Sequence, residues 1–167
     1  MFGGWNVQPN LPHTLGGDPT RHNGAPCRPP VLVIASGNPH KVAEITAMLD
    51  AVQLEVRRQP EGLEIEETGS TYLENARLKA TEVARITGQW ALADDSGLEV
   101  DALGGEPGLY SARYAATDPE RIARLLRELG DSPYRSASFN SAMVLANPEG
   151  EAVLEAQGIC RGEILLA

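Results

Sequence analysis

Cysteine is scarce in this chain: Cys27 and Cys160 are the only two among 167 residues. They share no metal-binding spacing, and two thiols do not make the disulfide framework of a small secreted domain, so a reducing cytoplasm is the expected compartment. Basic charge is also in short supply. Against 23 Asp and Glu there are 14 Lys and Arg, giving a formal net charge of -9 and a pI near 4.8. That balance argues against a face built to neutralise a nucleic-acid backbone, while a nucleotide accompanied by a metal ion remains open. No apolar run approaches the roughly 20 residues that cross a bilayer, and the N-terminus lacks the basic start and apolar stretch of a secretory signal. Neither nucleic acid nor membrane is therefore expected as a partner. Internal repeats and heptads are absent too. A hydrophobic content of 42% over the length of one domain points to a single globular unit with a real core.

Residues 1–30 are rich in Gly, Pro, Asn, His and Thr and carry no apolar periodicity, so a disordered tail is expected, or an upstream stretch included by a wrongly chosen start. His13 and His22 within it read as solvated side chains. The folded domain is expected over 31–167, opening with a buried strand at Val31–Ala35. A helix follows, with Asn38 as cap, Pro39 in the first turn, and Val42, Ile45 and Leu49 on one apolar face. A second helix is expected from Thr71, where Thr71 and Glu74 have capping-box spacing, with Leu73, Ala76, Ala80 and Val83 as its stripe and Gly88 as its stop. Trp90–Ala93 reads as a strand ending at Asp94-Asp95-Ser96-Gly97, and Leu98, Val100 and Ala102 as a half-buried strand beyond it. The third helix has Asp118 as expected cap, Pro119 in its first turn, and Ile122, Leu125, Leu126 and Leu129 facing inward. Two strands, Ser136–Ala146 and Glu151–Gln157, flank the turn Asn147-Pro148-Glu149-Gly150. The fold class is α/β, a mixed sheet flanked by helices.

Chemistry concentrates in three places. Ser36-Gly37-Asn38-Pro39-His40-Lys41 joins a buried strand to a helix N-terminus, where free N–H groups and the helix dipole attract an anion. Lys41 adds a full charge, Gly37 allows close backbone approach, and Ser36 and Asn38 offer hydrogen bonds; taken alone, the loop also reads as a capped helix with an exposed lysine. Glu64-Glu66-Glu67 precede the second helix, and Asp94-Asp95 lie beside Gly97. Magnesium favours one or two carboxylates together with substrate phosphates, which Glu66 and Asp95 would supply. Glu64 and Glu67 read as solvated charge, Glu74 as part of the capping box, and Asp94 as a turn residue.

The phrases SGNPHK, EETGSTYLENARLKA and ADDSGLEVDALGGEPGLYSARY, in this order and at this spacing, resemble the inosine/xanthosine triphosphate pyrophosphatase family over roughly Val31 to Ile164. The resemblance implies a cytoplasmic homodimer with a long mixed sheet between two lobes, an anticodon-binding-like architecture with the nucleotide in the cleft. It implies hydrolysis of dITP, ITP and XTP to monophosphate and pyrophosphate, which keeps deaminated purines out of nucleic acid. By match to the family pattern, Ser36, Gly37, Asn38, Pro39, His40 and Lys41 would hold the triphosphate, Ser96 would contact substrate, Glu66 and Asp95 would bind Mg²⁺, and Asp95 would be the catalytic proton acceptor. Charge neutralisation and an oriented water are what phosphoryl chemistry asks for.

The chain departs from that pattern beyond Ile164, where family members continue into an FGYDP segment, a lysine and a Ser-His-Arg segment. It is accordingly expected to be truncated at the C-terminus and damaged as an enzyme, with base selectivity lost and apolar surface uncovered. Ala137-Ser138-Phe139 also stands where many members have Ala-Arg-Phe. Two alternatives are a non-catalytic nucleotide-binding module and a Maf-type nucleotide pyrophosphatase. The second usually opens with an arginine-containing Ser-x-Ser loop, which this chain lacks.

Overall fold

The computed structural model describes residues 6–9, as backbone, and 29–166. Six strands form one mixed sheet in the order β1-β6-β5-β4-β2-β3. β2 (Val31–Ile34) runs parallel to β3 (Glu55–Arg58) and to β4 (Trp90–Val100), while β4, β5 (Ser136–Ala146), β6 (Ala152–Glu163) and β1 (Asn6–Pro9) pair antiparallel in turn. Among the described residues no helix is long and apolar enough to cross a membrane.

The helices form where caps and periodicity place them. In α1 (Pro39–Met48) Asn38 Oδ1 accepts the His40 N–H at 2.9 Å, and Val42 and Ile45 are buried against Leu32 and Ile34. α2 (Tyr72–Thr87) begins at Thr71, whose hydroxyl accepts the Glu74 N–H, and stops at Gly88 with φ 63°, a conformation that glycine adopts without steric cost. Only half of the expected capping box closes there: Glu74 reaches Ser70 instead of the Thr71 N–H. Ala76, Ala80, Val83 and Ala84 of α2 pack on Val33, Ala35, Ala91, Ala93, Ala142 and Val144. So many alanines at one contact bring helix backbone close to sheet backbone.

α3 (Asp118–Leu129) is capped one residue earlier than expected. Thr117 closes a full capping box with Glu120 and leaves Asp118 inside the first turn, where its charge favours the helix dipole. Leu125 and Leu129 are buried with Val100, Tyr114 and Ala137, but Ile122 is 58% exposed and does not join that cluster. The long antiparallel strands thus carry separate apolar clusters at their two ends.

Two other expectations give way. β4 is one continuous strand of 11 residues, so Asp94-Asp95-Ser96-Gly97 lie inside it and not at a strand end, and Ala102 belongs to the 3-10 turn that follows. Unbroken pairing from Ala91↔Ala146 to Val100↔Ala137 carries the polar residues through, because each carboxylate finds a cation on its own face. The other concerns 1–30: Asn6–Pro9 form a strand on the outer edge of β6, where unpaired N–H and C=O groups accept a partner whatever its side chains. The remainder of that expected tail, 1–5 and 10–28, lies outside the described residues.

Candidate active site

Strand alternation sends Asp94 and Ser96 to the α1 side of the sheet and Asp95 to the α2 side. On the α1 side, Lys41 projects from the first turn of α1 to within 2.5 Å of Asp94 Oδ2 and 2.9 Å of Ser96 Oγ. Asp94 also accepts from Ser141 Oγ at 2.9 Å and Ser96 Oγ at 3.2 Å. Its charge is thereby fully spoken for. Beside this cluster opens a cavity of about 960 Å³, polar where Lys41, Asp94 and Ser96 line it and apolar where Phe139, Met143 and Ile159 do.

The loop ahead of α1 is ordered by its own side chains. Ser36 Oγ accepts the Asn38 N–H at 3.2 Å, and Asn38 caps the helix, so both are engaged in shaping the turn. At Gly37 a Cβ would meet nothing within 4 Å, leaving open space over the backbone. Pro39 and His40 are exposed at the helix start. Of the expected anion-binding residues, the structure brings Lys41 and Ser96 into contact and sets Ser36 to His40 around the adjoining helix N-terminus.

The α2 side holds a second, separate cluster. Lys79 Nζ lies 3.0 Å from Asp95 Oδ1 and 3.0 Å from Glu67 Oε1, and Arg113 reaches the other Glu67 oxygen at 3.2 Å. Lys79 and Asp95 side chains are each only 14% exposed, so this bridge is shielded from water and salt far more than a surface pair would be. Burial pushes the Asp95 carboxyl above its ordinary range, and Glu67 adds to that; Lys79 and Asn75 oppose it. Asp95 is held as a shielded carboxylate whose proton affinity is raised.

Lys79 links Asp95 to Glu67 and not to Glu66. Glu66 is exposed, with no ion pair among the described residues, whereas its neighbour Glu67, which reads in the sequence as solvated charge, turns inward. Lys79 and Asn75 join the site without having stood out in the sequence, and Asp94, which reads there as a turn residue, joins it as the partner of Lys41. Asn75 and Lys79 stand four apart beside the Ala76–Ala80 stripe, and two polar residues at that spacing along an apolar face are the signal that marks them.

This arrangement, anion-facing lysine on one side of β4 and shielded carboxylates on the other, is carried by a segment that matches a known family model. The Ham1 family model matches residues 32–167. The chain belongs to the Ham1 family. It is 57% identical over 134 residues to a dITP/XTP pyrophosphatase of Synechococcus sp. (strain CC9311), covering 80% of this chain and 65% of that protein. It is 54% identical over 137 residues to a dITP/XTP pyrophosphatase of Nostoc sp. (strain PCC 7120 / SAG 25.82 / UTEX 2576), covering 82% and 70%. The chain therefore spans about two thirds of the length of these curated relatives. Among solved structures, a HAM1 protein from Coxiella burnetii superposes with a TM-score of 0.71 at 42% identity, covering 81% of this chain and 73% of that one. The Ham1 protein of Staphylococcus aureus gives 0.69 at 39%, covering 81% and 72%. The mixed sheet flanked by helices is thus the family's sheet.

Proposed function

We propose that this Ham1 domain hydrolyses the deaminated purine triphosphates dITP, ITP and XTP to monophosphate and pyrophosphate. The observation that carries this reading is Asp95, a shielded carboxylate bridged by Lys79 to Glu67, one strand position from the Asp94–Lys41–Ser96 cluster. A triphosphate laid along the helix N-terminus would bring its oxygens to Lys41 and Ser96 while Asp94 keeps Lys41 in place. Water attacking the α-phosphorus forms the new P–O bond, the bond to the bridging oxygen breaks, and pyrophosphate leaves. By match to the family pattern Asp95 would orient that water and accept its proton, a role that raised proton affinity suits and that requires the α-phosphate to reach the α2 side of β4.

Magnesium fits the α2-side cluster. Two carboxylates converge there on one ammonium group at 3.0 Å, and carboxylate oxygens are the donors a hard divalent ion prefers, so an ion taking the place of Lys79 would find two ligands. Glu67 and Asp95 would hold it, with exposed Glu66 alongside. The ion, when bound, neutralises charge on the phosphate oxygens. A metal-held carboxylate is a weaker base, so orienting the water is the larger part of Asp95's task. Homodimerisation and a cytoplasmic setting belong to the same proposal, and sedimentation of the purified chain tests the first. Hydrolysis of dITP in ¹⁸O-labelled water tests the bond cleaved: label must appear in dIMP and not in pyrophosphate, and label in pyrophosphate or release of single phosphates would refute the reaction.

A further inference from the structure

Asn75 is the one buried polar side chain among the described residues, with 4% of its surface exposed, and the chemistry proposed above gives it no task. It lies in the first turns of α2, four residues before Lys79, so the two side chains leave the same helical face. Its Oδ1 accepts the Gly69 N–H at 2.8 Å. Gly69 is pressed onto the helix: a Cβ there would stand 2.6 Å from Asn75 Oδ1 and 2.6 Å from Glu74 Cβ. Glu67 is two residues upstream in that same loop, and its carboxylate meets Lys79. Lys79, one turn further along the same helical face, reaches Asp95 at 3.0 Å.

The geometry points to Asn75 as a positioning residue that sets the spacing of Glu67 and Asp95 about Lys79 by tying the Glu67 loop to α2 through Gly69. This rests on the reading of Glu67 and Asp95 as the magnesium-facing pair. Two carboxylates on different segments define a cation site only while the segments keep their separation, and α2 contacts both through Lys79. The Ser70–Glu74 bonds secure the loop from the exposed side of the helix, and Asn75 secures it from the side that faces Asp95.

The test is a titration of the full chain with Mn²⁺, a paramagnetic stand-in for magnesium read by electron paramagnetic resonance, combined with amide exchange at Gly69. Wild type, Asn75→Ala and Asn75→Asp are compared, with circular dichroism reporting the fold. Asn75→Ala should accelerate Gly69 exchange and weaken Mn²⁺ binding about ten- to hundredfold, the usual cost of cutting a hydrogen bond that supports a ligand. Asn75→Asp keeps an acceptor for Gly69, so Gly69 should stay protected and Mn²⁺ should bind at least as tightly as in wild type. Unchanged Mn²⁺ affinity in a folded Asn75→Ala overturns the positioning role, as does weakened binding in Asn75→Asp with Gly69 still protected. If Asn75→Ala does not fold, Asn75→Asp decides alone. A wild-type chain that binds no Mn²⁺ overturns the metal reading itself and, with it, the purpose assigned to Asn75. The tether then stands or falls on Gly69 exchange.

Discussion

Asp94 and Asp95 are adjacent in the chain and face opposite sides of the sheet: Asp94 Oδ2 lies 2.5 Å from Lys41 Nζ beneath α1, and Asp95 Oδ1 lies 3.0 Å from Lys79 Nζ beneath α2. The alternation of a strand enforces the separation. Asp94, engaged by Lys41 and two hydroxyls, fixes that lysine at the first turn of α1, while Asp95 keeps a raised proton affinity beside a second carboxylate.

The two aspartates should therefore fail differently. Asp95→Asn is expected to lower kcat by about 10² to 10⁴ with little change in KM, the range for losing a positioned base. Asp94→Asn releases Lys41 and should instead raise KM, by about tenfold for each ~1.4 kcal/mol of lost binding. Steady-state kinetics of both variants check this, and a collapse of kcat in Asp94→Asn with KM unmoved would reverse the assignment.

Gly97 has no room for a side chain. A Cβ there would lie 2.3 Å from the Gly108 carbonyl oxygen, 2.8 Å from Tyr72 Oη and 2.9 Å from Ser111 Oγ, and Ser111 itself accepts the Leu98 N–H. Gly97→Ala should cost about 1–3 kcal/mol through overpacking, visible as a lower urea midpoint at unchanged slope.

Hydrogen bonds from the Ser70 hydroxyl and the Ser70 N–H hold the Glu74 carboxyl below its ordinary range. A carboxyl whose pKa is lowered on folding stabilises the protein above the unfolded-state value, and that contribution disappears as pH falls through the folded-state value. Glu74→Gln should accordingly lower the melting temperature at neutral pH, and the gap to wild type should close in acid. A gap that widens in acid would contradict the sign.

Much of this fold is legible in the sequence. Caps at Asn38 and Thr71, the Ala76–Ala80–Val83 stripe and the Asn147–Gly150 turn are local signals, and α1, α2 and the β5–β6 hairpin follow them closely. What is not legible depends on partners distant along the chain. β3 reads Glu-Val-Arg-Arg, with nothing strand-like in its pattern, and forms because β2 offers it an edge. Likewise Asp94–Gly97 look like a turn until Lys41 and Lys79 arrive from two helices to compensate the carboxylates. The same holds for the site: Asp95, Lys41 and Ser96 stand out in their motifs, but Glu67 can be told from Glu66 only once Lys79 has selected it.

The pairing of Asn6–Pro9 with Leu154–Gln157 yields its own expectation. Deleting residues 1–9 should speed amide exchange along 154–157 at the positions that point away from β5, and leave exchange in β4 unchanged. Equal exchange in both chains would mean that this edge is not covered in solution.

The most direct test of the central claim is pyrophosphate release from dITP and XTP, with Mg²⁺ or with chelator, by the wild-type chain and by Asp95→Asn. The account requires release that depends on Mg²⁺ and falls at least about hundredfold, with the fold intact, in Asp95→Asn. Release near the wild-type rate in that variant would contradict the role of Asp95, and release that proceeds equally in chelator would contradict the cation site beside it.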